Sequence, residues 1–254
     1  MDLPRNEFRA ALKAGRRQIG FWCTLPDSGL VELLAGCGYD WLTIDTEHSP
    51  LDAAGITPLL QAVAPYPVSA LVRPGWNDPV EIKRLLDCGA QTLLVPYVQT
   101  ADEARAAVAA TRYPPHGIRG VSGGSRASRF GAVRDYTARA SEELCLLVQV
   151  ETTETLPRIE EIAAVDGVDG MFVGPADLAA SMGHPGNATH PDVRAAVIDA
   201  IRRITAAGRP AGVLSTDPET LRLADEAGAA FIAVGLDTTV LRQGALRLRE
   251  GWRG

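Results

Sequence analysis

Lysine is almost missing from this chain: Lys13 and Lys83 are the only two among 25 basic residues. Any mechanism that needs a lysine amine inside the fold must therefore use one of those positions. Cysteine is scarce as well. Cys23, Cys37, Cys88 and Cys145 are widely spaced and form no Cys-x-x-Cys pair. That argues against a disulfide framework or a thiolate zinc site, and for reduced thiols in a cytoplasmic protein. No apolar run approaches the roughly 20 residues of a membrane span. The start, Met1-Asp2-Leu3-Pro4-Arg5, lacks the basic-then-apolar pattern of a signal peptide. An excess of positive charge is absent too: the formal net charge is −6, which argues against nucleic acid as a main partner. No low-complexity tract, charge block or linker interrupts the 254 residues, so residues 1–254 read as a single domain with room for a large core.

One pattern runs from end to end. A short apolar, β-branched run is followed by an amphipathic stretch with helical period. The apolar runs are Ile19–Leu25, Tyr39–Thr46, Pro67–Arg73, Thr92–Tyr97, Cys145–Glu151, Gly170–Pro175, Pro210–Ser215 and Phe231–Asp237. Helices are expected over Ser28–Ala35, Leu51–Ala64, Pro79–Asp87, Asp102–Thr111, Thr153–Ala164, Asp192–Ala207, Pro218–Ala227 and Thr238–Arg249, with Gly36, Gly38, Gly89, Gly208 and Gly228 at C-cap positions. Continuous apolar strands alternating with helices imply a parallel sheet covered by helices. The alternatives are a doubly wound open sheet and a closed α/β barrel; eight repeats favour the (β/α)8 (TIM) barrel. Residues 113–143 break the rhythm as a long loop rich in glycine and proline that carries Arg119, Arg126 and Arg129.

Barrel enzymes place their chemistry at the C-terminal ends of the strands. Here those ends carry Asp45-Thr46-Glu47-His48, Arg73, Gln149-Val150-Glu151 and Gly174-Pro175-Ala176-Asp177. The ends at Leu25, Tyr97, Ser215 and Asp237 are milder. Glu151 and Asp177, from neighbouring strand ends, suit a hard divalent cation; they equally suit ion pairs with arginines. His48 is a candidate proton carrier, with Asp45 three residues earlier to fix its tautomer, although a satisfied core histidine is the plainer alternative. Arg73 suits either stabilisation of a developing enolate or a structural ion pair. Lys13 precedes the first strand and Lys83 falls within an expected helix, so neither is placed for a Schiff base. The strand seven and eight ends lack nearby basic residues, which disfavours a phosphorylated substrate.

Seven segments, in order, make the chain resemble the HpcH/HpaI family of class II pyruvate aldolases: Tyr39–His48, Val72–Asp78, Thr92–Pro96, Arg112–Val121, Val148–Glu151, Gly167–Leu178 and Val234–Thr239. The resemblance spans nearly the whole chain. It implies a divalent metal (Mg²⁺, Mn²⁺ or Co²⁺) on Glu151 and Asp177, with pyruvate chelating it through carboxylate and keto oxygens. It implies that the backbone amides around Ala176 and Asp177 hold the carboxylate, that Gln149 lies beside the pyruvate, and that Glu47 supports the site. Arg73 polarises the keto oxygen, and His48 with Asp45 handles a proton. The implied reaction is reversible cleavage of a 4-hydroxy-2-oxo acid, of the kind met in aromatic catabolism, to pyruvate and an aldehyde; a 2-keto-3-deoxy sugar acid of the glucarate type is the alternative substrate. The resemblance further implies a hexamer built as a trimer of dimers, with the C-terminal helix exchanged between subunits. Arg126 or Arg129 could receive a distal carboxylate of the acceptor. Rival readings are a lyase of CoA thioesters and a catalytically silent oxo-acid sensor.

Overall fold

A computed structural model describes residues 1–253. Its eight strands are β1 (Gln18–Cys23), β2 (Trp41–Asp45), β3 (Ser69–Arg73), β4 (Thr92–Val95), β5 (Cys145–Val150), β6 (Gly170–Val173), β7 (Ala211–Leu214) and β8 (Phe231–Leu236), all parallel, closed into a barrel in sequence order. The helices are α1 (Glu7–Lys13), α2 (Ser28–Ala35), α3 (Ile56–Val63), α4 (Pro79–Asp87), α5 (Ala101–Thr111), α6 (Tyr136–Arg139), α7 (Ile159–Ala163), α8 (Pro175–Ser181), α9 (Pro191–Ala206), α10 (Pro218–Glu226) and α11 (Asp237–Arg253). All eight apolar runs became strands. Most are trimmed at their C-terminal ends, where the polar residues leave the ladder to form the mouth.

The expected helices are all present, two of them shortened. The stretch expected from Leu51 becomes helical only at Ile56, because the Asp52 carboxylate accepts from Ala54 and Gly55 and holds a turn first. The stretch from Thr153 begins with a tighter turn through Pro157 before α7. α1, α6 and α8 were not foreseen. α1 closes the N-terminal end of the barrel. Its Phe8 is fully buried edge-on to Trp41 and Phe231, with centroids 6.1 and 5.5 Å away. Asn6 caps α1 and also donates to Thr92 Oγ1 at 3.0 Å, which ties the plug to β4.

Two apolar layers result. Trp22, Trp41, Leu71, Leu147, Phe172 and Phe231 fill the barrel interior, and a larger layer lies between strands and helices. The interior is thus a packed core, and only its two ends are free to hold polar groups.

Candidate active site

Pairing between β2 and β3 sets Asp45 opposite Arg73 at the strand ends. Both are buried. The guanidinium donates through Nε to Asp45 Oδ1 at 2.9 Å and through Nη2 to Oδ2 at 2.5 Å, a two-pronged pairing that fixes its plane. The Trp22 indole donates to Asp45 Oδ2 at 3.1 Å and the Glu47 amide to Oδ1 at 3.0 Å. Burial alone would raise the Asp45 carboxyl, but the Arg73, Trp22 and Glu47 donors outweigh it and hold the pKa below its ordinary value. Arg73 behaves likewise: burial disfavours its charge, and Asp45 and Glu47 more than restore it.

Glu47 Oε2 lies 2.6 Å from Arg73 Nη1. Burial first, then the negative charges of Asp45, Asp177 and Glu81, push Glu47 up to about 7 against the pull of Arg73. The His48 imidazole stands at the mouth, 62% exposed, with Nε2 4.0 Å from Glu47 Oε1. One expectation is corrected here. Among the described residues, no hydrogen bond of Asp45 reaches the His48 ring. Both carboxylate oxygens are taken by Arg73, Trp22 and the amides of Glu47 and His48, so Asp45 orients the arginine and the turn, not the imidazole.

Across the mouth, Gln149 and Glu151 are two residues apart and so share a side of the chain. Gln149 Nε2 donates to Glu151 Oε2, while its buried Oε1 has no partner among the described residues. Glu151 Oε1 accepts from the Tyr97 amide at 2.6 Å. Tyr97 offers that amide from a left-handed backbone, φ 51°, uncommon for a residue with a side chain. Gly174 follows β6 beside Glu151; a Cβ there would sit 2.8 Å from Glu151 Oε2 and push the carboxylate aside. The turn leads into α8, which places Asp177 in its first turn, where a carboxylate opposes the helix dipole. The first amides of α8 have no helical acceptor, and its N-cap Gly174 contributes no side-chain bond.

Burial, reinforced by Glu47 and Asp177, raises Glu151 to about 7. The Tyr97 phenol is raised by burial and then by the same three carboxylates, Asp177, Glu151 and Glu47. Three acids thus face one another around a single guanidinium that already answers Asp45. The excess of negative charge, hard oxygen donors and an unpartnered amide oxygen fit a divalent cation. A second group, His184, His190 and Asp192, also has donor atoms within 4.8 Å of one another. Its two imidazoles lie stacked 3.6 Å apart and 14° from parallel, so they cannot both aim lone pairs at one ion.

Other residues fall elsewhere. Lys13 ends α1 and Lys83 lies in α4, both off the strands. Asp237 fastens the β1–α2 loop by accepting from the Thr24 and Leu25 amides, each at 2.8 Å. Arg119 is buried against Asp87 at 2.7 Å, with its guanidinium over the Tyr113 ring. Arg126 and Arg129 line a cavity bordered by the first residues of β1, β3 and β4. That is the opposite end of the barrel, so they do not reach the acceptor position within this chain. Sequence reasoning gave no role to Tyr97, Gly174 or Trp22. Their contributions are a backbone amide, a missing Cβ and an indole N–H from inside the barrel, and only the strand-end positions of Tyr97 and Gly174 left a trace in the sequence.

Fold and site together define a barrel enzyme whose mouth gathers carboxylates around a fixed cation. The model of the HpcH/HpaI aldolase/citrate lyase family matches residues 18–244, and the chain belongs to that family. It is therefore a carbon–carbon lyase by class. A hydroxypyruvate/pyruvate aldolase of Sagittula stellata is 61% identical over 99% of this chain and 100% of its own. A 4-hydroxy-2-oxo-heptane-1,7-dioate aldolase of Klebsiella pneumoniae is 56% identical over 94% and 91%. A solved HpcH/HpaI aldolase/citrate lyase family protein from Burkholderia cenocepacia superposes with a TM-score of 0.94 at 39% identity, covering 98% and 100%.

Proposed function

We propose that this chain catalyses reversible aldol cleavage of 4-hydroxy-2-oxo acids to pyruvate and an aldehyde. The observation that carries the proposal is the rigid Asp45–Arg73 pair set beside the Glu47, Glu151 and Asp177 carboxylates. Glu151 and Asp177 would hold a divalent metal such as Mg²⁺, Mn²⁺ or Co²⁺, and when bound it supplies Lewis-acid stabilisation of the enolate. With no strand lysine, this stabilisation and that of Arg73 replace an imine.

Arg73 has five N–H donors; two go to Asp45, and Nη1 stands beside Glu47 as an ion pair without a hydrogen bond. The N–H groups not given to Asp45 serve the C2 keto oxygen, where negative charge develops, and the plane fixed by Asp45 means no reorganisation as it does so. The amides of Ala176 and Asp177 receive the substrate carboxylate, with Gln149 beside it. His48 takes the 4-hydroxyl proton as the C3–C4 bond breaks. C4 becomes the aldehyde carbonyl, the bonding pair forms the C2=C3 enolate, and a proton returned to C3 gives pyruvate.

Exchange of pyruvate methyl protons in D₂O tests the enolate without knowledge of the acceptor. Exchange with Mg²⁺, Mn²⁺ or Co²⁺ is expected, and its absence with all three defeats the reading. Cleavage rates on dicarboxylic and polyhydroxylated 4-hydroxy-2-oxo acids then set the acceptor. We further propose a hexamer with α11 exchanged between subunits, supported by Leu241, Leu248 and Trp252, which stand 59%, 80% and 91% exposed on that helix. Sedimentation velocity of a Leu248→Asp, Trp252→Asp variant tests it.

A further inference from the structure

A large cavity lies away from the mouth. It has a volume of about 680 Å³ and opens at the N-terminal end of the barrel, between the α1 plug, the starts of the strands and the loop that carries Arg126 and Arg129. That volume is in the range of small-molecule sites, roughly 300–1,000 Å³. Five arginines line it, Arg5, Arg16, Arg17, Arg126 and Arg129, against two acids, Glu7 and Asp40, in a chain whose net charge is −6. Arg5 is paired with Glu7 and Arg17 with Asp225. Arg16, Arg126 and Arg129 have no carboxylate partner among the described residues. Asp40 accepts from the Ile19 amide at 2.8 Å.

Arg126 is the half-buried member. Its Nη1 donates to the Cys88 carbonyl at the end of α4, at 2.7 Å. Gly89, with φ 98°, leaves room for it; a Cβ would stand 2.5 Å from Nη1. One carbonyl does not answer a half-buried guanidinium. Arg129 adds like charge beside it, and burial together with that neighbour lowers the Arg126 pKa. A half-buried Arg126 with the exposed Arg129 beside it, neither with a carboxylate partner among the described residues, leaves a deficit of negative charge that a bound anion would fill.

We propose that this cavity is a binding site for a small polyanion, a phosphate- or carboxylate-bearing molecule held by Arg16, Arg126 and Arg129 at the end of the barrel opposite the mouth. The site is independent of the aldolase reading. It assigns a role to two arginines of the long loop that do not reach the mouth of their own chain.

Isothermal titration of the whole protein in metal-free buffer with inorganic pyrophosphate, and separately with tricarballylate, tests it and distinguishes phosphate from carboxylate ligands. Saturable binding of at least one probe at one per chain is expected. Saturating pyruvate would not displace it. The Arg126→Gln, Arg129→Gln double variant, with aldolase activity intact, would weaken it by ~10-fold or more through the loss of two charged donors. Should that variant fail to fold, the exposed Arg16→Gln supplies the same comparison. Absence of saturable binding by both probes, displacement by pyruvate, or equal affinity in folded variants would overturn the proposal.

Discussion

At the C-terminal end of the barrel, Glu47, Glu151 and Asp177 face one another around one guanidinium; at the other end, Arg16, Arg126 and Arg129 line a cavity without carboxylates of their own. The mouth is tightly tied. Asp45, Trp22, Tyr97 and Gln149 each fix a charged neighbour by a directed hydrogen bond. The bottom is loosely tied, with Arg126 resting on one carbonyl. Preorganisation of this kind suits stabilisation of charge that appears during a reaction, while the loosely held arginines would be ordered only by an incoming anion, at a cost in affinity.

Breaking the mouth should have the largest effect. Arg73→Ala leaves Asp45 and Glu47 buried without their cation, so turnover is expected to fall by ~10²–10³-fold, the cost typical of losing one oxyanion donor. Stability should fall by about 3–5 kcal/mol, as for a broken buried pair. Steady-state cleavage kinetics and urea unfolding measure the two. Unchanged oxaloacetate decarboxylation by the variant would remove Arg73 from the enolate role.

The next test uses pH. Glu47 and Glu151 are raised to about 7 in the folded protein, above their ordinary 4.5. An acid raised by folding contributes stability below its unfolded pKa and loses it as pH rises through the folded value. The metal-free protein should therefore melt lower at pH 8 than at pH 6, by roughly 2–4 °C for each kcal/mol lost. Added Mg²⁺ should recover more at pH 8, and Glu151→Gln should flatten the slope. Differential scanning fluorimetry at both pH values reads all three; a Mg²⁺ shift that is larger at pH 6 contradicts the metal assignment.

Gly174→Ala is a smaller intervention. The added methyl must displace Glu151 Oε2 from 2.8 Å. Metal affinity is expected to weaken by ~10–100-fold, as for other changes that reorient a ligand, while the fold is retained. Titration with Mn²⁺ followed by electron paramagnetic resonance measures it.

What could be read in advance divides along the same line as the two ends. Strand order, barrel closure and the charged strand ends follow from periodicity, because each apolar run must bury its faces and each polar terminus must then lie at a rim. Partner choice does not follow from spacing. The His48–Asp45 pairing looked natural three residues apart, yet the β2–β3 register brings Arg73 directly alongside Asp45, and a fork-to-carboxylate contact takes both oxygens. The family resemblance offers Arg126 or Arg129 for a distal carboxylate of the acceptor; within this chain the loop folds back under the barrel, where the Cys88 carbonyl at the end of α4 accepts from Arg126. α1 escaped notice because it pairs with no strand, and its one signal is Asn6 before a short apolar stripe.

The smallest effect belongs to the rim of the mouth. Trp76, 54% exposed, stacks on Tyr97 with centroids 5.1 Å apart and planes 27° from parallel. Tyr97 in turn supplies the amide that holds Glu151, so the stack borders the carboxylates without carrying charge. On the proposed reaction, this uncharged rim is expected to meet the aldehyde and not the pyruvate. An aromatic pair of this kind contributes about 0.5–1.5 kcal/mol, so Trp76→Ala should raise KM for the aldehyde by ~2–10-fold. Pyruvate methyl exchange, which needs only the donor half, should be unchanged. A matching loss of exchange would show that Trp76 acts through Tyr97 on Glu151, and the rim would then belong to the charged machinery it borders.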